Sequence, residues 1–556
     1  MEKRTVIAFV LSFLILISWS YFFTPKTPQQ TPAEGPKQVT QEPSRNEPAR
    51  KGVSEKPAPV SVKPREIPQQ PPKEMQEREF TVETPLYKIV FSNVGAVIKS
   101  FKLKKYRVST DPGSSLVELI SLESMNEDFC LTTFGSPLKT TPEKVTYQVD
   151  GNAIHLNEGS PPRELTFSGQ TSDGVSISQT FRFYSDRYSI DLAVAIGNNA
   201  ESSIEGNIKS TLMNKPPLKK DSYYAFNGIA LLLNDELEEI KPDDMEENKP
   251  LTGNIAWMAY EDGHFMAAVI PASDTKSIFE GRRFSSGALS GSLVGPAISL
   301  GARDRVSAQY TFYMGPRDLT ILKQTGKKLD QAINFGWTDI IAKPLLYTLR
   351  FFNKYVNNYG VSIILLTILI KIIFWPLTHK SYKSMKEMQK LQPLMAKIRE
   401  KYKNNKEQMN KELMGLYKTY KVNPMGGCLP MVIQMPIFFA LFRILGNSIE
   451  LRHAPFMLWI DDLSAPDRLF HFPFEIPYMT PPSGIPVLTL LMGASMFIQQ
   501  KMTPTPGDPT QAKIMLFLPL IFTVMFINFP SGLVVYWLVN NILSIGQQYH
   551  IKKGRA

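Results

Sequence analysis

The sequence predicts a polytopic α-helical membrane protein that carries one large all-β domain, and three observations predict it. Uninterrupted apolar runs crowd the last third of the 556-residue chain, apolar and polar residues alternate through the middle third, and basic residues gather between the apolar runs. The 43% hydrophobic content would suit a large soluble protein equally well, so distribution rather than composition decides the class.

The chain opens on a basic tetrapeptide, and residues 5–23 are almost wholly apolar and long enough to cross a bilayer. No small-x-small cleavage site follows, and the run ends in Trp19-Ser-Tyr-Phe-Phe23, so 1–23 reads as an uncleaved signal anchor. Residues 24–79 are dense in Pro, Gln, Lys and Glu and lack the apolar surface to offset ordering, which marks a disordered tether. Over 80–316 period-two patterns recur, as in Val175, Ile177, Phe181 and Phe183 and again in Val306, Ala308, Tyr310, Phe312 and Met314. Turn pairs such as Asp173-Gly174, Asn198-Asn199 and Asp262-Gly263 separate them, and the pattern predicts a β-sandwich of many strands. Residues 317–359 predict a helix over 318–335 and an amphipathic interfacial helix over 343–359.

Five apolar runs follow, at 361–378, 424–445, 485–498, 514–529 and 533–551, making six spans with the anchor. Several are short for a hydrocarbon core of about 30 Å, so tilting or local thinning of the bilayer is expected. Between the first two of these runs, 380–421 predicts a Lys-rich helical hairpin with Met385, Met388, Met395 and Met409 at helical spacing. Charge asymmetry orients the chain independently. The N-terminal tetrapeptide, the hairpin, the 501–513 loop and the tail 552–556 are all basic, whereas the 447–484 loop is acidic in balance, so both termini are placed in the cytoplasm.

Lys371 is the sharpest residue, because apolar side chains flank it on both sides and a cation costs a few kcal/mol in a bilayer. Two readings stand: a side chain snorkelling to headgroups about 10 Å away, or a receptor for acidic groups of a passing chain. Thr367 lies one turn away on the same face, and Gln434, Gln499, Asn540, Asn541 and Ser544 add polar groups on other runs. Each alone suits ordinary interhelical bonding; with the cation they suit a wet cavity. The hairpin methionines read either as packing or, with the lysines, as a docking surface for signal-like helices or ribosomal RNA; the lysines read otherwise as a solvated positive-inside face, and anionic lipid is a further expected partner.

Catalytic patterns are missing from the sequence. The six histidines show no metal-ligand spacing, no phosphate-binding Gly-x-x-x-x-Gly-Lys run occurs, and two cysteines make no disulfide framework, so no cofactor and no metal are expected.

The run Val422-Asn-Pro-Met-Gly-Gly-Cys-Leu-Pro-Met-Val-Ile-Gln-Met-Pro-Ile-Phe438 resembles the third-span signature of the YidC/Oxa/Alb membrane insertase family, and Phe529-Pro-Ser-Gly-Leu-Val-Val-Tyr-Trp537 resembles its last hairpin. The anchor, tether and β region are similar to the Gram-negative form. The resemblance implies a five-helix insertase core over 360–551 around a hydrophilic groove, a periplasmic β-supersandwich, an inner-membrane location and no enzymatic step. It places Lys371 where the family usually has an arginine, which keeps the charge and loses the bidentate fork. Thr367, Gln434, Tyr536, Trp537 and Asn540 are assigned with Lys371 to the substrate groove. The implied partners are nascent membrane proteins and Sec translocon components, with the ribosome and signal recognition machinery as further candidates. Two rival classes are a solute transporter, disfavoured by the lack of inverted repeats, and a sugar-binding β module, resting on fold analogy alone.

Overall fold

Strand alternation dictates how the β part assembles. In the strand Ser189–Asn198, Ile190, Leu192, Val194 and Ile196 are buried while most residues between them face outward. This strand pairs antiparallel with Val175–Phe183 on one side and Arg305–Pro316 on the other, setting Leu192 opposite both Phe181 and Tyr310. The structure is a computed structural model that describes residues 76–125, 131–135, 145–151, 153–216, 226–245, 249–420, 422, 429–503 and 509–553. The anchor over 1–23, nearly all of the tether, Cys130 and Cys428 lie outside the described residues.

A 13-stranded sheet system and a five-stranded sheet make up the β region. The strand Leu251–Asp262 joins the large system: its first residues pair with Lys276–Arg283, and its later ones pair with Phe265–Pro271 and Asn227–Leu233. Phe91 of the smaller sheet packs its ring 5.0 Å from Phe181 and 5.6 Å from Phe167 of the larger, so the two sheets meet face to face through aromatic rings. The β-sandwich expected from alternation is present.

Eight helices carry the rest of the argument. They are α1 (Leu319–Thr325), α2 (Asp339–Val356), α3 (Tyr359–Lys401), α4 (Lys406–Thr419), α5 (Leu429–Asn447), α6 (Val487–Met502), α7 (Pro509–Phe526) and α8 (Ser531–Lys553). Asp318 caps α1 by accepting from the amides of Thr320 and Ile321, and Asn358 caps α3 by accepting from that of Val361. The helix expected over 318–335 ends early: Gly326, Lys327 and Lys328 all take positive φ, and only a 3₁₀ turn follows. The interfacial helix begins at Asp339, four residues before the expected start.

One expectation is corrected more substantially. The apolar run at 361–378 and the first arm of the hairpin form a single helix, α3, of 43 residues, about 65 Å long, which passes through Pro376 and Pro393 without a break. It is the one helix among the described residues long and apolar enough to cross a membrane by itself; Ile433–Asn447 and Met515–Phe526 are shorter apolar stretches. Helices α6 and α7 approach closely, because a Cβ at Gly493 would collide with Thr523.

Arginines fasten the β region to the helices. Arg317 pairs with buried Glu261 at 2.9 Å and donates to the carbonyls of Gly263 and Ala332. Arg350 of α2 pairs with Asp318 at 3.2 Å and with Glu450 just beyond α5. Arg452 donates to the carbonyls of Arg107 and Val108, and its guanidinium lies 5.3 Å from the Phe265 ring. Burial pushes the Glu261 carboxyl up to about 7 despite Arg317, and burial with the neighbouring arginines holds His264 down at about 3, so this histidine stays neutral.

Two outcomes follow from the buried pair. An acid whose folded-state pKa exceeds its unfolded value opposes folding progressively as pH rises between the two, here from 4.5 to about 7. The Glu261→Gln variant, which cannot ionise, should therefore lose less thermal stability than the parent between about pH 5 and pH 8 in detergent micelles; an unchanged pH profile would contradict this. Replacing Arg317 with Leu leaves the carbonyls of Gly263 and Ala332 without their buried donor while Glu261 becomes the neutral acid, and should lower stability by about 2–4 kcal/mol at neutral pH, read as a fall in Tm.

Candidate functional site

Lys371 lies on the inner face of α3. Ile363, Leu366, Thr367 and Ile370 are buried with it, whereas Ile368, Leu369, Ile372, Ile373 and Trp375 face outward. The lysine is only 9% exposed, too little for a headgroup-seeking side chain on the lipid face. Its Nζ donates to Ser544 Oγ of α8 at 2.7 Å, and that hydroxyl donates in turn to the Asn540 carbonyl at 2.7 Å. No carboxylate pairs with it among the described residues.

A second knot adjoins the first. Gln434 of α5 donates through Nε2 to Asn540 Oδ1 at 2.9 Å and to the Tyr536 hydroxyl at 3.2 Å. Farther along α8, Gln547 donates to Thr378 Oγ1 of α3 at 2.9 Å. Tyr536, Asn540, Ser544 and Gln547 thus form a polar stripe at helical spacing, rising about 17 Å along α8. Asn541, on the neighbouring face, donates to Ser495 of α6 at 3.0 Å. Away from this seam α7 presents an apolar face: Leu516, Phe517, Leu520, Ile521 and Val524 are all exposed. Polar side chains turned together and apolar ones turned out is what a hydrocarbon solvent requires.

Space inside the seam is scant. Ile370, Lys371, Phe374, Thr378 and Gln434 line a pocket with room for about one water molecule. Ile370 and Phe374 make the apolar part of its wall, and Ser544 is the hydrogen-bond acceptor that the ammonium finds.

Of the residues assigned to the groove from sequence, Lys371, Gln434, Tyr536 and Asn540 come together here. Thr367 is fully buried on the same face, but its hydroxyl donates to the Ile363 carbonyl of its own helix at 2.7 Å. Trp537 points elsewhere, packed between Phe438 and Phe526 with ring centroids 4.9 Å from each. Ser544 stood among the polar residues read from sequence, but its pairing with Lys371 did not, and Gln547 was missed. The i, i+4, i+7 spacing of Asn540, Ser544 and Gln547 was the signal that could have found them.

In the hairpin, Met395 is buried with Leu391 and Leu413, and Met388 and Met409 pack partly against that cluster. The Tyr417 hydroxyl lies 3.9 Å from Met395 Sδ. Met385 is half-buried outside the cluster, and Met414 is the exposed methionine. No group of three metal-ligating side chains occurs among the described residues.

Comparison with known proteins adds identity to this geometry. A family model described as the 60Kd inner membrane protein matches residues 351–556, and one described as the YidC periplasmic domain matches 79–348. Proteins named membrane protein insertase YidC match along the full chain: that of Syntrophus aciditrophicus is 43% identical, covering 100% of both chains. That of Pelobacter propionicus is 41% identical, covering 100% of this chain and 99% of the relative. A solved active YidC insertase covers 86% of this chain and 93% of its own at 18% identity and a TM-score of 0.37. A galactose mutarotase related enzyme from Lactobacillus acidophilus covers 43% of this chain and 97% of its own at 10% identity and a TM-score of 0.30. Neither of these two likenesses carries an argument. The sequence relatives do, and the chain belongs to the YidC family of membrane protein insertases, non-enzymatic proteins of the inner membrane with a periplasmic domain.

Proposed function

We propose that the chain inserts nascent membrane proteins by receiving their polar or acidic segments at the seam around Lys371, from the cytoplasmic side. The observation that carries this reading is a buried ammonium held by a hydroxyl and, among the described residues, by no carboxylate. A cation solvated only by a neutral oxygen keeps most of its field, so it attracts an acidic group and lowers the cost of bringing one partway across. With room for about one water, the seam admits a peptide only when α3 and α5 part, and the polar stripe of α8 then supplies replacement hydrogen bonds.

Six spans complete the proposal: the anchor with α3, α5, α6, α7 and α8, both termini cytoplasmic and the β region periplasmic. The basic tail and hairpin support that orientation. Helices α6 and α7 have 16 and 18 residues, about 24 and 27 Å, shorter than a bilayer core of about 30 Å. Local thinning therefore reduces the apolar barrier beside the seam. Burial of the substrate's own apolar helix in lipid then drives release, at about 25 cal/mol per Å², without nucleotide hydrolysis. Partners in this reading are Sec translocon components, the ribosome and signal recognition machinery, with anionic lipid on the Lys-rich hairpin and signal-like helices at Met385 and Met414.

Insertion of an acidic-tailed substrate into proteoliposomes should fall about tenfold for Lys371→Ala and further for Lys371→Glu, while Lys371→Arg retains most of it. Equal insertion by all three would remove Lys371 from the mechanism. The two hydroxyls should also separate: Ser544→Val, which strips the ammonium of its partner, impairs insertion, whereas Thr367→Val, whose hydroxyl serves its own helix, changes it by less than about twofold. Equal effects would show that the Lys371–Ser544 bond is not the contact that matters.

A further inference from the structure

The loop joining α5 to α6 exposes large apolar side chains to an unusual degree. Leu458 is 86% exposed, Phe470 71%, Phe474 61% and Tyr478 93%. Three of these four also sit at positive φ, Leu458 at 57°, Phe470 at 53° and Tyr478 at 67°, a region bulky L-residues rarely adopt. Strained backbone persists only where its surroundings over-determine it, and here the surroundings are firm. Arg468 donates to the Ile527 carbonyl and to Asn528 Oδ1 in the turn between α7 and α8. Asn528 also accepts from the Thr480 amide and donates to the Tyr478 carbonyl. The base of the loop is therefore clamped to the helix bundle while its aromatic side chains point away from it.

The level of this loop is set by its neighbours. It starts at the end of α5 and finishes at the start of α6, and the clamp fixes it to the end of α7. At its first turn Glu450 pairs with Arg350 of α2, whose Tyr347, Phe351 and Tyr355 are likewise exposed. The Phe456 carbonyl accepts from Asn358, the cap of α3. These contacts gather the helix ends at one end of the bundle, and aromatic side chains at such an end are favoured at the boundary between headgroups and acyl chains. The segment 469–485 carries no Lys or Arg and a single Glu, the composition of a surface that enters lipid and not of one that repels it.

We propose that Phe470, Phe474 and Tyr478 are seated in the headgroup–acyl boundary of the outer leaflet, as a rigid lipid anchor at the periplasmic end of the core. The inference rests on the membrane orientation given under Proposed function. Anchoring there holds the closed end of the bundle at a fixed depth while the cytoplasmic ends of α3 and α5 part.

Site-specific fluorescence tests it in the full chain, with Cys130 and Cys428 replaced by Ser. Single cysteines from Phe470→Cys, Phe474→Cys and Tyr478→Cys are labelled with an environment-sensitive dye and reconstituted in phosphatidylethanolamine–phosphatidylglycerol vesicles. Leu520→Cys, on the outward face of α7, serves as a membrane control, and Glu201→Cys on the β region as an aqueous one. The expected result is quenching by shallow nitroxide lipids at all three loop sites, with iodide quenching about threefold or more below that at position 201. Iodide quenching equal to that at 201, without nitroxide quenching, overturns the anchor. Protection from both quenchers that varies with protein density overturns it too, since a second copy then covers the patch. Loss of nitroxide quenching at 520 would instead overturn the spanning reading itself.

Discussion

A positive charge kept inside a helix bundle is the constraint around which the core is arranged. An ammonium in hydrocarbon is costly, and a carboxylate partner would neutralise the cost along with the field. The chain adopts neither solution. Lys371 turns inward, takes Ser544 as its partner, and is followed along α8 by Asn540, Tyr536 and Gln547, each bonded to a neighbouring helix. Every helix at the seam must therefore offer a polar face at the same depth, which fixes how α3, α5 and α8 rotate about their axes. The outward face of α3 beside the lysine and that of α7 are left to large apolar side chains, among them Ile372, Ile373, Phe517 and Leu520.

Charges are handled differently at the opposite end of the bundle. There arginines meet carboxylates or backbone carbonyls directly: Arg317 with Glu261, Arg350 with Asp318 and Glu450, Arg452 with the carbonyls of Arg107 and Val108. These contacts tie the β region to α2 and to the α5–α6 loop, so that end is braced. Among the described residues the seam is joined by hydrogen bonds without a carboxylate, and its pocket at Lys371 has room for about one water. In the proposed mechanism a bundle pinned at one end by charge pairs opens at the other, where exchangeable hydrogen bonds close it and a substrate from the cytoplasm arrives.

Much of the fold was legible because its signals are local. Period-two alternation marks the strands around Phe181 and Tyr310, and apolar runs mark the starts of α3, α6 and α8 to within two residues. Lys371 stood out through its neighbours alone. What stayed hidden depends on distance or context. Ser544 is 173 positions from Lys371, and no local pattern announces that pairing. Continuity of α3 through Pro376 and Pro393 was hidden by an abrupt change from apolar to Lys-rich composition, which reads as a boundary although the backbone continues. The family resemblance assigned Trp537 to the groove together with Tyr536, but adjacent residues on a helix diverge by about 100°, and its ring joins the aromatic cluster of Phe438 and Phe526. Helix propensity over 318–335 yielded to the left-handed turn at Gly326 to Lys328.

The most direct test asks which solvent the position of the lysine meets. In a chain otherwise free of cysteine, reconstituted in vesicles, Lys371→Cys should react with a membrane-impermeant thiol reagent supplied from the cytoplasmic side. Fluorophores attached there should resist quenching by nitroxide lipids, while Ile372→Cys, one residue away on the outward face, shows the reverse. A cysteine at 371 that is inert to the aqueous reagent and quenched from within the lipid would contradict the account.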